Sequence, residues 1–159
     1  MNGLLLVLLL TGSHNLGYKS PYGGAALRAQ GDRGYVEAAY YDSKPRGLSG
    51  WGGVLRGEYR FGDATYFGLG AEGIFQRTAG DDRTDARPTL RLGHRTDRGG
   101  DFSIFTVGPG IRPDHARGIG LEWRFYGLVL EGGYYDFGRD GGHPAYSGYQ
   151  GRVGWALRL

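Results

Sequence analysis

The chain has 159 residues, no cysteine and a formal net charge of +3, which leaves room for one domain and excludes disulfide frameworks, thiolate metal sites and thiol catalysis. Its 33 glycines come with only 6 prolines, no G-X-Y period and 14% aromatic residues, which excludes collagen and argues against a disordered glycine-rich chain. The arginines are scattered between apolar neighbours and form no patch, so the positive balance does not imply a nucleic-acid partner.

In chain order, residues 4–10 are seven consecutive aliphatic residues followed by Thr11, Gly12 and Ser13. This reads as the short apolar region of a signal peptide spanning residues 1–13, although no Lys or Arg precedes it; a buried apolar strand is the alternative. Residues 14–34 form an N-terminal segment with weak alternation, in which Ala25, Leu27 and Ala29 share one face, and which could supply an extra strand. Residues 35–159 alternate with a period of two between glycine- and aspartate-rich turns. Trp51, Leu55, Tyr59 and Phe61 share one face of a strand whose other face carries Val54, Arg56, Glu58 and Arg60. Phe67, Leu69, Ala71 and Phe75 then oppose Gly68, Gly70, Glu72 and Gln76, and the polar stretch 78–86 reads as a loop. Leu90 and Leu92 oppose Arg91, and Phe105, Val107 and Ile111 are placed on the same side as those leucines, with Pro109 marking an edge or a bulge. Ile119, Leu121, Trp123 and Phe125 oppose Glu122 and Arg124; after a two-residue turn at Tyr126 and Gly127, Leu128, Leu130 and Tyr134 oppose Glu131. The last strand sets Tyr149, Val153, Trp155, Leu157 and Leu159 against Gln150 and Arg152.

A core does not easily bury Arg, Glu and Arg at successive positions of one face, whereas a membrane barrel has lipid outside and a polar lumen inside. The fold expected is therefore all-β: an antiparallel up-and-down transmembrane β-barrel of about eight strands, ten if residues 4–10 are a strand. An interior that narrow is filled by side chains. Arg56, Glu58, Arg60, Glu72, Arg91, Arg112, Glu122, Arg124, Glu131 and Arg152 are the expected lumen network. Short turns alternate with longer polar connections, as on the two sides of an outer-membrane barrel. Aromatic residues, among them Tyr35, Tyr41, Trp51, Tyr66, Trp123 and Trp155, read as two interfacial girdles.

The sequences GLEWRF at 120–125 and LVLEGGYYDF at 128–137, followed by the alternating C-terminal strand, resemble the closing strands of small bacterial outer-membrane β-barrel proteins of the porin-like and eight-stranded opacity type. The resemblance implies a bacterial outer-membrane location, contact with outer-membrane lipid and lipopolysaccharide, and a monomeric state. It also implies recognition by the barrel assembly machinery through Val153, Trp155, Leu157 and Leu159, although members of this group usually end in Phe or Trp where this chain ends in Leu159. The function expected is non-enzymatic: loops displayed for surface interaction or envelope integrity.

Other motifs carry less. GLGAEG at 68–73 satisfies G-x-G-x-x-G inside an alternating strand with no following helix, so no dinucleotide cofactor is expected. His14, His94, His115 and His143 lack metal-ligand spacing, and Asp81, Asp82 and Asp85 read as an acidic loop, so no metal is expected. Asp140, His143 and Ser147 are candidate catalytic residues for an alternative reading, a lipid A-modifying enzyme with a site at the rim. A soluble β-barrel ligand binder is the third reading and requires every apolar face to turn inward.

Overall fold

The computed structural model describes residues 4–15, 21–43, 50–78, 81–108, 117–136 and 147–158. They form ten antiparallel strands: β1 (Leu5–Asn15), β2 (Pro21–Gly31), β3 (Gly34–Ser43), β4 (Gly50–Phe61), β5 (Thr65–Thr78), β6 (Asp81–Arg95), β7 (Asp101–Val107), β8 (Arg117–Phe125), β9 (Leu128–Asp136) and β10 (Ser147–Arg158). Each strand pairs with its neighbours in sequence, and β1 closes on β10, giving a barrel without edges among the described strands. The count is the alternative of ten, not the preferred eight. Residues 5–10 lie in β1, between β10 and β2.

Following the register once around shows how the wall is inclined. Leu5 pairs with Gln30, Gln30 with Tyr35, Tyr35 with Glu58, Glu58 with Gly70 and Gly70 with Thr89. Thr89 pairs with Val107, Val107 with Gly118, Gly118 with Tyr135, Tyr135 with Gly148, and Gly148 with Asn15. The circuit returns to β1 ten residues above its start, an offset of one residue per strand. With ~3.3 Å per residue and ~4.8 Å between strands, this tilts the strands by about 35° and gives a backbone diameter of about 19 Å. Such a cylinder is filled by its own side chains.

Polarity is reversed relative to a soluble protein. Leu8, Leu27, Leu55, Leu69, Leu90, Leu121 and Val153 are exposed on the outer wall, while seven arginines and six carboxylates are buried inside. This is the opposite of the orientation required by a soluble ligand binder. Two inward patches are apolar: Val7 and Leu9 of β1 pack with Ala26 and Val129, and Phe105 lies with Val107 on β7.

Four details differ from the sequence reading. Residues 81–87 are not a loop: they pair with 72–78 and carry the β5–β6 hairpin past the last β6–β7 pair, alongside β4, which pairs with β5 as far as Gly50 and Thr78. In β7 it is Phe102 and Ile104 that face outward, while Phe105 and Val107 are buried; both faces carry large apolar residues, so alternation alone could not choose between them. Pro109 and Ile111 lie outside the described residues, and it is Pro88 that sits within a strand, just beyond the last β6–β7 pair at Thr89 and Val107, where a missing N–H costs no ladder bond. Tyr35 and Tyr66 do not belong to a girdle but are buried in the lumen. The ring of Tyr66 lies where a Cβ on Gly93 would stand, and that of Phe105 covers Gly120 in the same way, so these glycines let an inward aromatic ring lie flat on the wall.

Candidate functional site in the barrel lumen

The offset of one residue per strand sorts the inward side chains into layers. Starting from the end closed by the short connections, the first layer holds Arg60 of β4, Arg95 of β6, Arg124 of β8, Tyr66 of β5 and Asp101 of β7. Tyr66 donates its hydroxyl proton to Asp101 Oδ1 at 2.7 Å, and the guanidinium groups of Arg60 and Arg95 each lie 4.8 Å from the Tyr66 ring centroid. Arg60, Arg95 and Arg124 reach Asp101 Oδ2 at 3.4, 3.8 and 3.9 Å.

Above it, Glu58 and Glu122 alternate with Arg28 and Arg91. Arg91 donates to Glu58 at 2.7 Å and to Ser103 at 2.6 Å, and Arg60 donates to Glu58 at 2.8 Å. Arg28 is fully buried and spans the lumen, donating to Glu37 at 2.8 Å, to Glu122 at 2.6 Å and to Glu131 at 3.2 Å. In the next layer Arg152 donates to Glu37 at 2.7 Å and to Glu131 at 3.2 Å, while Arg56 holds Glu72 at 2.9 and 3.0 Å. Towards the long-connection end, Arg87 pairs with Asp85 at 3.0 Å and lies 3.7 Å from Glu72.

The two middle layers are each balanced, with two arginines against two glutamates. The end layers are not. Among the described side chains, Asp85 and Glu72 outnumber Arg87 towards the long-connection end, and Arg60, Arg95 and Arg124 outnumber Asp101 at the other. Burying so many ions carries a large desolvation cost that only close, hydrogen-bonded pairing offsets. These contacts fill the middle of the cylinder with paired side chains.

Of the residues expected in the lumen, Arg56, Glu58, Arg60, Glu72, Arg91, Glu122, Arg124, Glu131 and Arg152 are buried in this mesh, and Arg112 lies outside the described residues. Sequence reasoning missed Arg28, Glu37, Asp85, Arg87, Arg95 and Asp101. A signal existed for two of them: Arg28 stands between Leu27 and Ala29, and Glu37 between Val36 and Ala38, which is the same alternation that marked Arg56. Val153, Trp155 and Leu157 face outward and are exposed, while Leu159 lies outside the described residues. Asp140 and His143 also lie outside them, and Ser147 opens β10 opposite Asp136. His94 is on the outer wall, hydrogen-bonded to Thr65 at 3.0 Å. Among the described residues, no group of side chains has the arrangement of a metal site. The 68–73 glycine motif is plain strand within β5.

Together, the closure, the register and the reversed polarity define a closed antiparallel ten-strand barrel of the outer-membrane kind. Among solved structures, the N-terminal β-barrel domain of Pseudomonas aeruginosa OprF matches with a TM-score of 0.51 at 11% identity, covering 99% of this chain and 100% of that domain. At that identity the likeness is one of fold, and with ten strands it does not extend to the eight-stranded opacity-type proteins. No family model matches the chain, and no curated protein matches it.

Proposed function

We propose that the chain is a non-enzymatic bacterial outer-membrane protein, a barrel sealed by its charge network that carries its longer connections at one rim for surface contact or envelope integrity. The observation that supports this best is the spacing of the aromatic belts on the outer wall. Tyr40 stacks on Trp51 with centroids 6.5 Å apart, Phe75 lies tilted against Trp51 at 5.3 Å, and Tyr134 lies tilted against Tyr149 at 5.3 Å. Tyr59 and Phe61, and Trp123, Phe125 and Tyr126, form the other belt. Trp51 and Tyr59 lie on one strand, eight residues apart. At ~3.3 Å per residue and a tilt of about 35° the belts are about 22 Å apart along the axis, close to the ~25 Å apolar band of outer-membrane barrels. The wall between them is aliphatic, as lipid contact requires.

In this reading, outer-membrane lipid and lipopolysaccharide surround the wall, and the outward Val153, Trp155 and Leu157 of β10 present the signal to the barrel assembly machinery. The test is fractionation of cells expressing the chain, followed by electrophoresis of the envelope with and without boiling. The expected result is outer-membrane recovery with faster migration of the unboiled protein. Recovery in the soluble fraction without detergent would refute the proposal. A planar-bilayer recording checks the seal separately: steady ionic conductance of the wild-type barrel would show that the network does not close it.

A further inference from the structure

The first layer of the lumen has more cation than its own carboxylate can neutralise. Three guanidinium groups converge on one oxygen of Asp101 at 3.4 to 3.9 Å, and the other oxygen of that carboxylate is taken by Tyr66. Arg60 also holds Glu58, and Arg124 also holds Glu122 at 3.3 Å, but those glutamates are shared with Arg91 and Arg28 in the layer above. Two donors remain without a hydrogen-bond acceptor among the described residues, Arg60 Nη2 and Arg124 Nε, both on side chains at least nine-tenths buried. A buried donor left unpaired is costly, and one on a cation more so. The connections below this layer carry both signs, with Asp32, Arg33, Asp63, Asp97 and Arg98, so the excess belongs to the mouth of the lumen and not to the rim. Arg95 is the accessible member, its side chain 29% exposed.

We propose that this mouth is a binding site for a small tetrahedral oxyanion of the phosphate class, held by Arg60, Arg95 and Arg124 beside Asp101. Guanidinium groups offer paired, planar donors that match phosphate oxygens; free phosphate can in addition donate from a protonated oxygen to Asp101, whereas a phosphodiester has no such proton and is held by the guanidinium groups alone. The ligand is either free phosphate or the phosphodiester of an anionic lipid headgroup reaching the mouth from the bilayer edge.

The test is thermal unfolding of the full chain in zwitterionic detergent, titrated with inorganic phosphate against chloride at matched ionic strength, and repeated in phosphatidylcholine bilayers with and without phosphatidylglycerol. A saturable rise in Tm with phosphate assigns a soluble oxyanion, and a rise only with phosphatidylglycerol assigns a headgroup. In either case Arg124→Gln and the more conservative surface-side Arg95→Gln should abolish the rise, and Arg98→Gln should preserve it. No rise beyond chloride in detergent together with none from phosphatidylglycerol overturns the proposal, as does a rise that survives both Arg124→Gln and Arg95→Gln.

Discussion

Arg28 is the residue whose loss the network should tolerate least. Replacing it with Met keeps most of its length but leaves Glu37, Glu122 and Glu131 without contacts of 2.8, 2.6 and 3.2 Å in a fully buried setting. Arg152 still reaches Glu37 and Glu131, so the damage concentrates on Glu122, which keeps only Arg124 at 3.3 Å and Arg91 at 3.7 Å. Breaking one partner of a buried pair costs about 3–5 kcal/mol, and Arg28→Met should fall in that range. Adding Glu122→Gln removes the most strongly orphaned charge and should recover about 1–3 kcal/mol, as coupled neighbours do. The assay is urea unfolding of barrels refolded into phospholipid vesicles, followed by tryptophan fluorescence. All three tryptophans, Trp51, Trp123 and Trp155, are on the outer wall, so the reporter is separate from the perturbed network. A loss below about 1 kcal/mol for Arg28→Met, or no recovery in the double variant, would refute the idea that closely paired charges hold the lumen together.

Three other outcomes are expected. Leu27→Arg, at mid-height on the lipid-facing wall, should cost about 2–4 kcal/mol in the same vesicle assay, whereas the effect should vanish if that face is turned to water. Gly93→Ala should drive the Tyr66 ring off the wall and cost about 1–3 kcal/mol, with Tyr66→Leu in the same background relieving part of the loss. Gly127 has a φ of +89° in the two-residue turn between β8 and β9, and Gly127→Ala should lower stability by about 1 kcal/mol or more without changing the boiled and unboiled migration of the folded fraction.

Legibility followed the contrast between the two faces of each strand. β4, β8 and β10 pair charged inward positions with large apolar outward ones, so their faces could be assigned from sequence, and the lumen members they carry were identified. β1 gave no such contrast, because Val7 and Leu9 face an apolar patch of lumen with Ala26 and Val129, and a run apolar on both sides is indistinguishable from the centre of a signal peptide. β7 failed for a related reason, with Phe102 and Ile104 on one face and Phe105 and Val107 on the other. The extended β5–β6 hairpin was hidden by its composition: above the apolar belt a strand has no need of apolar residues, so 78–86 looked like a loop. Which arginine meets which glutamate was not readable at all, since those partners are fixed by strand offset around the circumference and not by any local spacing.

The reach of Arg28 along the chain also bears on how the protein is made. Glu37 is available from the adjacent strand, but the other partners, Glu122 and Glu131, lie 94 and 103 residues further on, so the full set of contacts around this guanidinium forms only when nearly the whole polypeptide has been delivered. A chain that stopped before β8 could zip its early hairpins but would have to hold that guanidinium with Glu37 alone, in a half-cylinder open to water. A truncated chain would therefore lack the acceptors that complete the mesh, and full pairing of Arg28 requires the finished cylinder.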